Sequence, residues 1–186
     1  SAGQSVFGNK VQAKFLKVTN AKDCLGENIL SGDAYIKALQ SIIDWVKLGK
    51  HIYIGSSLGA ERAGTMAFLI NGLLGVDEDA LSKDYELSSF TEDEQAAGRE
   101  FKRNEGIYPA MVSKIKTLEG GTLQVKIYNY FKNGIGGTSI SEDDLKTFIC
   151  YMLDCTDQEL EDALSSNVKQ IVINKAVGSL DRKSVA

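Results

Sequence analysis

Residues 55–65 carry the strongest chemical signal in this chain: Gly55, Ser56, Ser57, Leu58, Gly59, Ala60, Glu61, Arg62, Ala63, Gly64 and Thr65. An apolar segment before them, Ile52, Tyr53 and Ile54, is predicted as a strand that runs into a small, Gly-rich loop. Arg62 closes the loop and an apolar helix follows at once. That order gathers consecutive backbone N–H groups and a helix N-terminus around one point, which is how a chain cradles an oxyanion. The Arg62 guanidinium would add a bidentate clamp. No thiol stands in the loop. A serine oxygen is a poor nucleophile without an adjacent base, and the single histidine, His51, opens the strand several residues upstream.

The loop resembles that of the cysteine-dependent protein tyrosine phosphatase superfamily, whose signature is His-Cys, five residues, Arg, then Thr or Ser, and Gly. The likeness is to the bacterial tyrosine/serine phosphatase-like subgroup, whose loop reads roughly HC-x-x-G-x-D-R-T-G-T. Gly59, Arg62, Gly64 and Thr65 match as they stand, and Glu61 replaces the acidic Asp conservatively. Ser56 occupies the position of the catalytic Cys, Gly55 that of the preceding His, and Ala63 that of the Thr after the Arg. Residues 67–76 and the run Asp84, Tyr85, Glu86, Leu87, Ser88, Ser89, Phe90 are similar to the segments that follow this loop in the subgroup. The resemblance covers roughly residues 10–155.

The resemblance implies an α/β fold: a mostly parallel sheet flanked by helices, with a helix-rich C-terminal half. Relatives place several strands before the segment equivalent to 11–18, where this chain has ten residues. The N-terminal strands are therefore expected to be missing, or to be supplied by a late strand, a partner chain or an additional domain. The resemblance also implies a phosphomonoester hydrolase site, with Ser57, Leu58, Gly59, Ala60, Glu61 and Arg62 around the phosphate and Ser56 at the nucleophile position. A general acid is expected on an upstream loop. Asp23 lies in that region and Asp33 is its rival; an ordinary loop acid or helix cap is the plainer role for either. No cofactor and no metal are implied.

The family's nucleophile is a thiolate whose pKa is lowered by the helix N-terminus and nearby cations, and serine has no comparable acidity. Gly55, Ser56 and Ala63 depart from the signature together, which favours a natural loss over a single engineered replacement. The leading expectation is an inactive pseudophosphatase that binds phosphate, or a phosphorylated protein or lipid, at residues 56–62. The alternatives are an active tyrosine/serine or phosphoinositide phosphatase whose Cys was replaced by Ser56, and a structural or interaction domain.

Composition agrees with a globular chain. A length of 186 residues can bury a sizeable core, and 43% of the residues are hydrophobic. A net charge of −4 and a pI of about 5.1 argue against broad nucleic-acid or anionic-membrane binding. No apolar run approaches the ~20 residues of a membrane span. The lack of a visible transport signal favours the cytoplasm, with the start Ser1, Ala2, Gly3 reading as a processed or added end. Cys24, Cys150 and Cys155 lack metal-ligand spacing, and their odd number argues against a disulfide framework. They read as simple core or near-surface thiols.

Strands are expected at 11–18, 52–54 and 168–174. Helices are expected at 31–48, 65–74, from 77 onward, and at 91–103, 108–118, 123–133, 141–153 and 157–165. Ser31 or Asp33 would cap the first helix and Gly49 would stop it. Ser141 with Asp144 three residues on is an N-terminal capping signature. Residues 1–155 are expected to form the phosphatase-like domain and 156–186 a helix-and-strand extension. Tyr85 and Phe90 are expected in the core beneath the loop, and Trp45 against the sheet. Arg99, Lys102 and Arg103 read as solvated helix surface, with a second phosphate pocket as the rival reading.

Overall fold

The computed structural model describes residues 25–56, 59–90 and 101–165. Seven α-helices form among these: α1 (Ala34–Lys47), α2 (Arg62–Leu73), α3 (Glu78–Leu87), α4 (Ile107–Lys116), α5 (Leu123–Asn133), α6 (Glu142–Leu153) and α7 (Asp157–Ser165). Short 3-10 turns occupy Gly26–Asn28 and Ser88–Phe90.

Helices α3, α5 and α6 start where a side chain accepts from a first-turn N–H group, which has no intrahelical acceptor. Asp77 accepts from Ala80 N at 3.0 Å, Thr122 from Val125 N at 3.2 Å and Ser141 from Asp144 N at 3.1 Å. Asp33 stands at the N-cap of α1 without making such a bond. Its carboxylate accepts instead from Thr138 Oγ1 at 2.7 Å and pairs with Lys37 at 2.8 Å, tying the start of α1 to the turn before α6. Helix ends follow a second rule. After α1, Gly49 takes φ +67°, its N–H bonds Val46 O at 2.8 Å, and Lys50 N bonds Trp45 O at 3.0 Å. This left-handed closure absorbs two terminal carbonyls and suits a residue without a Cβ. The same pair of bonds ends α2, from Gly75 N to Gly72 O and from Val76 N to Asn71 O.

Helix α5 is the centre of the packing, against α2, α4 and α6. Its Ile127 and Phe131 are fully buried, with Leu69 and Leu73 of α2, Ile115 of α4 and Leu145 and Ile149 of α6. Between α2 and α5 the backbones come close at Gly72, where a Cβ would run into Ile127 Cδ1. Gln124 of α5 donates to Leu73 O at 3.0 Å, satisfying a buried carbonyl at the end of α2. Helix α7 packs on α6, and its Leu160 and Ala163 belong to the same core. Helix α4 packs on the 26–28 turn.

No strand forms among the described residues; the sole β feature there is an isolated antiparallel bridge between Ile135 and Thr138. The strand expected at 52–54 is replaced by irregular chain at 51–56. A strand exists only through its ladder partner, and the expected strands 11–18 and 168–174 lie outside the described residues. The helix expected at 91–103 is not helical at 101–103, and 91–100 lies outside the description. Trp45 is half-buried on α1, with no sheet beneath it among the described residues, and Phe90 is 72% exposed rather than in the core.

Candidate functional site

The chain enters the site through residues 51–56 and turns at Gly59, whose φ is +78°. Nothing lies within 4 Å of a Cβ built there, so the backbone conformation and not crowding favours glycine at this point. Ala60 is buried and Glu61 is the N-cap of α2, without a side-chain cap bond. Arg62 is the first residue of the helix. The Ala63 N–H, in the first turn, donates to Ser56 Oγ at 3.4 Å. The Ser56 hydroxyl thus sits at the positive end of the α2 dipole, where an anionic sulfur or a phosphate oxygen would be favoured. No acid or base side chain hydrogen-bonds Ser56 among the described residues.

A cavity of about 390 Å³ opens beside this hydroxyl. One wall is the loop and first turn of α2, from Gly55 and Ser56 through Gly59, Ala60 and Glu61 to Thr65. The opposite wall comes from α3 and α4: Leu81, Asp84 and Tyr85 face Tyr108 and Met111, with Phe68 of α2 between them. Tyr85 and Tyr108 stack with ring centroids 4.8 Å apart, and Phe101 meets Tyr85 edge-on at 5.6 Å. Phe68 meets Tyr108 edge-on at 5.7 Å. The Tyr108 hydroxyl is buried without a hydrogen-bond partner among the described residues. Burial, with the Glu78 carboxylate next in weight, holds its phenol well above the ordinary tyrosine range. Tyr85 is raised in the same direction, first by burial and then by Glu61. The cavity is an aromatic slot with a hydroxyl and a helix N-terminus at one end.

Its charge is acidic. Glu61 and Asp84 line it, and no Lys, Arg or His is among its described lining residues. The Arg62 side chain is exposed, is not part of the cavity wall, and makes no ion pair among the described residues. Ser57, Leu58 and Asp23 lie outside the described residues. Asp33 is not in the cavity wall; Lys37, and then Thr138, hold its carboxyl below the ordinary range, which makes it an ionised structural acid. The structure therefore brings Ser56, Gly59, Ala60 and Glu61 together in the cavity wall and leaves the Arg62 side chain out of it.

Arg103 is exposed, as expected for surface, but it lies outside any helix and its guanidinium is held by carboxylates. Its guanidinium grips Glu86 in a bidentate pair, Nε to Oε1 at 2.9 Å and Nη2 to Oε2 at 2.6 Å, and reaches Asp79 through Nη1 at 3.0 Å. Beside it Ser89 Oγ accepts from Phe101 N at 2.8 Å and donates to Phe101 O at 3.3 Å. These bonds pin the 101–103 segment to α3 behind the aromatic wall. Asp84 and Tyr108 were not singled out from the sequence. Asp84 opens the family-like run 84–90 but carries no sequence sign that it lines the cavity, and Tyr108 reads as a plain core aromatic until α3 and α4 are seen to face the loop.

A family model described as the tyrosine phosphatase family matches residues 10–150. No curated protein and no solved structure matches the chain.

Proposed function

The chain belongs to the tyrosine phosphatase family, and from that premise we propose a phosphatase-like domain that binds phosphate or a phosphorylated ligand at the 56–62 loop without turning it over. The observation that carries the reading is the hydrogen bond from Ala63 N to Ser56 Oγ at 3.4 Å. It puts a hydroxyl at the helix N-terminus, where the family's chemistry requires a thiolate. An alkoxide there would need a base to take the serine proton, and none touches Ser56 among the described residues. The helix N-terminus still offers N–H groups to an anion, and the aromatic slot next to it is wide enough for an apolar group that carries the phosphate.

A second reading, a structural or interaction domain, is favoured by one observation: the cavity wall carries two carboxylates and no cation among its described residues. An anion entering there meets repulsion from both carboxylates, opposed by the helix dipole. The third reading, an active phosphatase with Ser56 substituted for Cys, depends on the residue at position 56 of the natural coding sequence.

The test is hydrolysis of an aryl phosphate by this protein and by Ser56→Cys, beside calorimetric titration of both with inorganic phosphate. The proposal expects no turnover from the parent and saturable phosphate binding. Turnover that persists in Ser56→Ala would refute it. Gain of hydrolysis in Ser56→Cys would identify a site intact apart from its nucleophile. Absence of binding in both proteins would favour the interaction domain.

A further inference from the structure

Helix α6 ends in the same left-handed closure as α1 and α2, but with unusual residues in it. The left-handed position is Asp154, at φ 53°, the sole non-glycine residue with positive φ among those described. Cys155 N then bonds Cys150 O at 3.2 Å. In this motif the residue after the left-handed one folds back against the third residue from the helix end, where two apolar side chains commonly meet. Here both are cysteines. The Cys155 thiol donates to Cys150 Sγ at 3.5 Å, and no disulfide joins the two sulfurs. Both side chains are half-buried, with Tyr151 exposed beside them.

We propose that Cys150 and Cys155 are an oxidation site that closes to an intramolecular disulfide, stapling the end of α6 to the start of α7. The Cys155 N to Cys150 O bond closes the turn between the two residues, and the sulfurs already touch within it. The oxidant is a peroxide. One thiolate attacks the O–O bond and becomes a sulfenic acid as hydroxide leaves and is protonated. The second sulfur then attacks the first, the S–O bond breaks, and its thiol proton leaves with the hydroxyl as water. Two thiols and one hydrogen peroxide give one disulfide and two waters.

The roles are unequal. Burial first, then the neighbouring Cys155 thiol and the Asp157 carboxylate, push the Cys150 thiol up to about 12. Asp157 Oδ1 is 3.6 Å from Cys150 Sγ and accepts its S–H. With its S–H held by Asp157, Cys150 is a poor first nucleophile at neutral pH and is suited to the resolving step. The staple would act on α7, whose Leu160 and Ala163 are buried in the common core. It stands independently of any reading of the 56–62 loop.

The test uses the whole folded chain, oxidised with hydrogen peroxide, quenched with iodoacetamide and cut with trypsin. Cleavage after Lys146 and Lys169 yields one peptide, 147–169, that carries both cysteines, while Cys24 falls in the separate peptide 23–37. The expected result is a 147–169 peptide lighter by two hydrogens and unalkylated until reduced, both in the parent and in Cys24→Ser. Hydrogen exchange across 157–165 should slow in the oxidised form and recover on reduction. A 147–169 peptide that stays doubly alkylated while Cys24 reacts would overturn the proposal. So would sulfinic or sulfonic acid at either cysteine in place of the disulfide, or pairing of either one with Cys24.

Discussion

The contact between α2 and α5 can be tested at Gly72. This residue lies inside α2, is buried, and has Ile127 Cδ1 in the space a Cβ would take, with Leu81 Cδ1 a further 3.6 Å neighbour. Gly72→Ala has two opposed effects. Removing a glycine from a helix interior stabilises by about 0.8–1.0 kcal/mol. Forcing a methyl against Ile127 is overpacking, which costs roughly 1–3 kcal/mol. The obstacle is the tip of a flexible side chain, so the cost should fall near the middle of that range. The net expectation is a loss of about 1 kcal/mol, or a drop in Tm of roughly 3 °C for a chain of this length. Ile127→Val alone deletes the obstructing methyl and should lose about 0.5–1.5 kcal/mol. In the double variant the alanine methyl fills the space that the isoleucine vacates, and the helix gain remains. It should return to within about 0.5 kcal/mol of the parent, a coupling of roughly 2 kcal/mol in the range found for touching residues. Thermal and urea unfolding, followed by circular dichroism and by the fluorescence of the single tryptophan, Trp45, give all four corners of the cycle. Additive losses, to within about 0.5 kcal/mol, would refute the direct contact between these two side chains.

Arg62→Ala should abolish phosphate binding in a calorimetric titration. It should change stability by no more than about 0.5 kcal/mol, since the side chain is exposed and makes no ion pair among the described residues. Unchanged phosphate affinity would remove Arg62 from the site. Arg103→Gln should lower Tm at neutral pH and progressively less in acid. Arg103 holds Glu86 below its ordinary range, and Lys83 and then Arg103 do the same for Asp79. A depressed folded-state pKa contributes stability above the unfolded value and loses it as pH falls through the folded one. Parent and variant melting curves should therefore converge below a pH of about 4, and a gap that stays constant into strong acid would contradict the pairing.

Much of this protein is legible one helix at a time. Residues 123–133 and the cap at Ser141 appear where the sequence puts them, because period and capping involve residues no more than about four apart. The stops at Gly49 and Gly75 are local for the same reason. At 55–65 the turn at Gly59 and the helix start at Arg62 are legible, since a glycine followed by an apolar helical run is a local pattern. The aromatic slot is not legible, because Tyr85, Tyr108 and Phe68 come from three helices and meet through tertiary packing. Nor is the grip of the exposed Arg103 on Glu86 and Asp79, 17 and 24 residues away, which makes a surface cation a tie between segments. The apolar run at 52–54 carries strand-forming residues, yet a strand depends on the neighbour that completes its ladder, and a single segment's sequence cannot specify that neighbour.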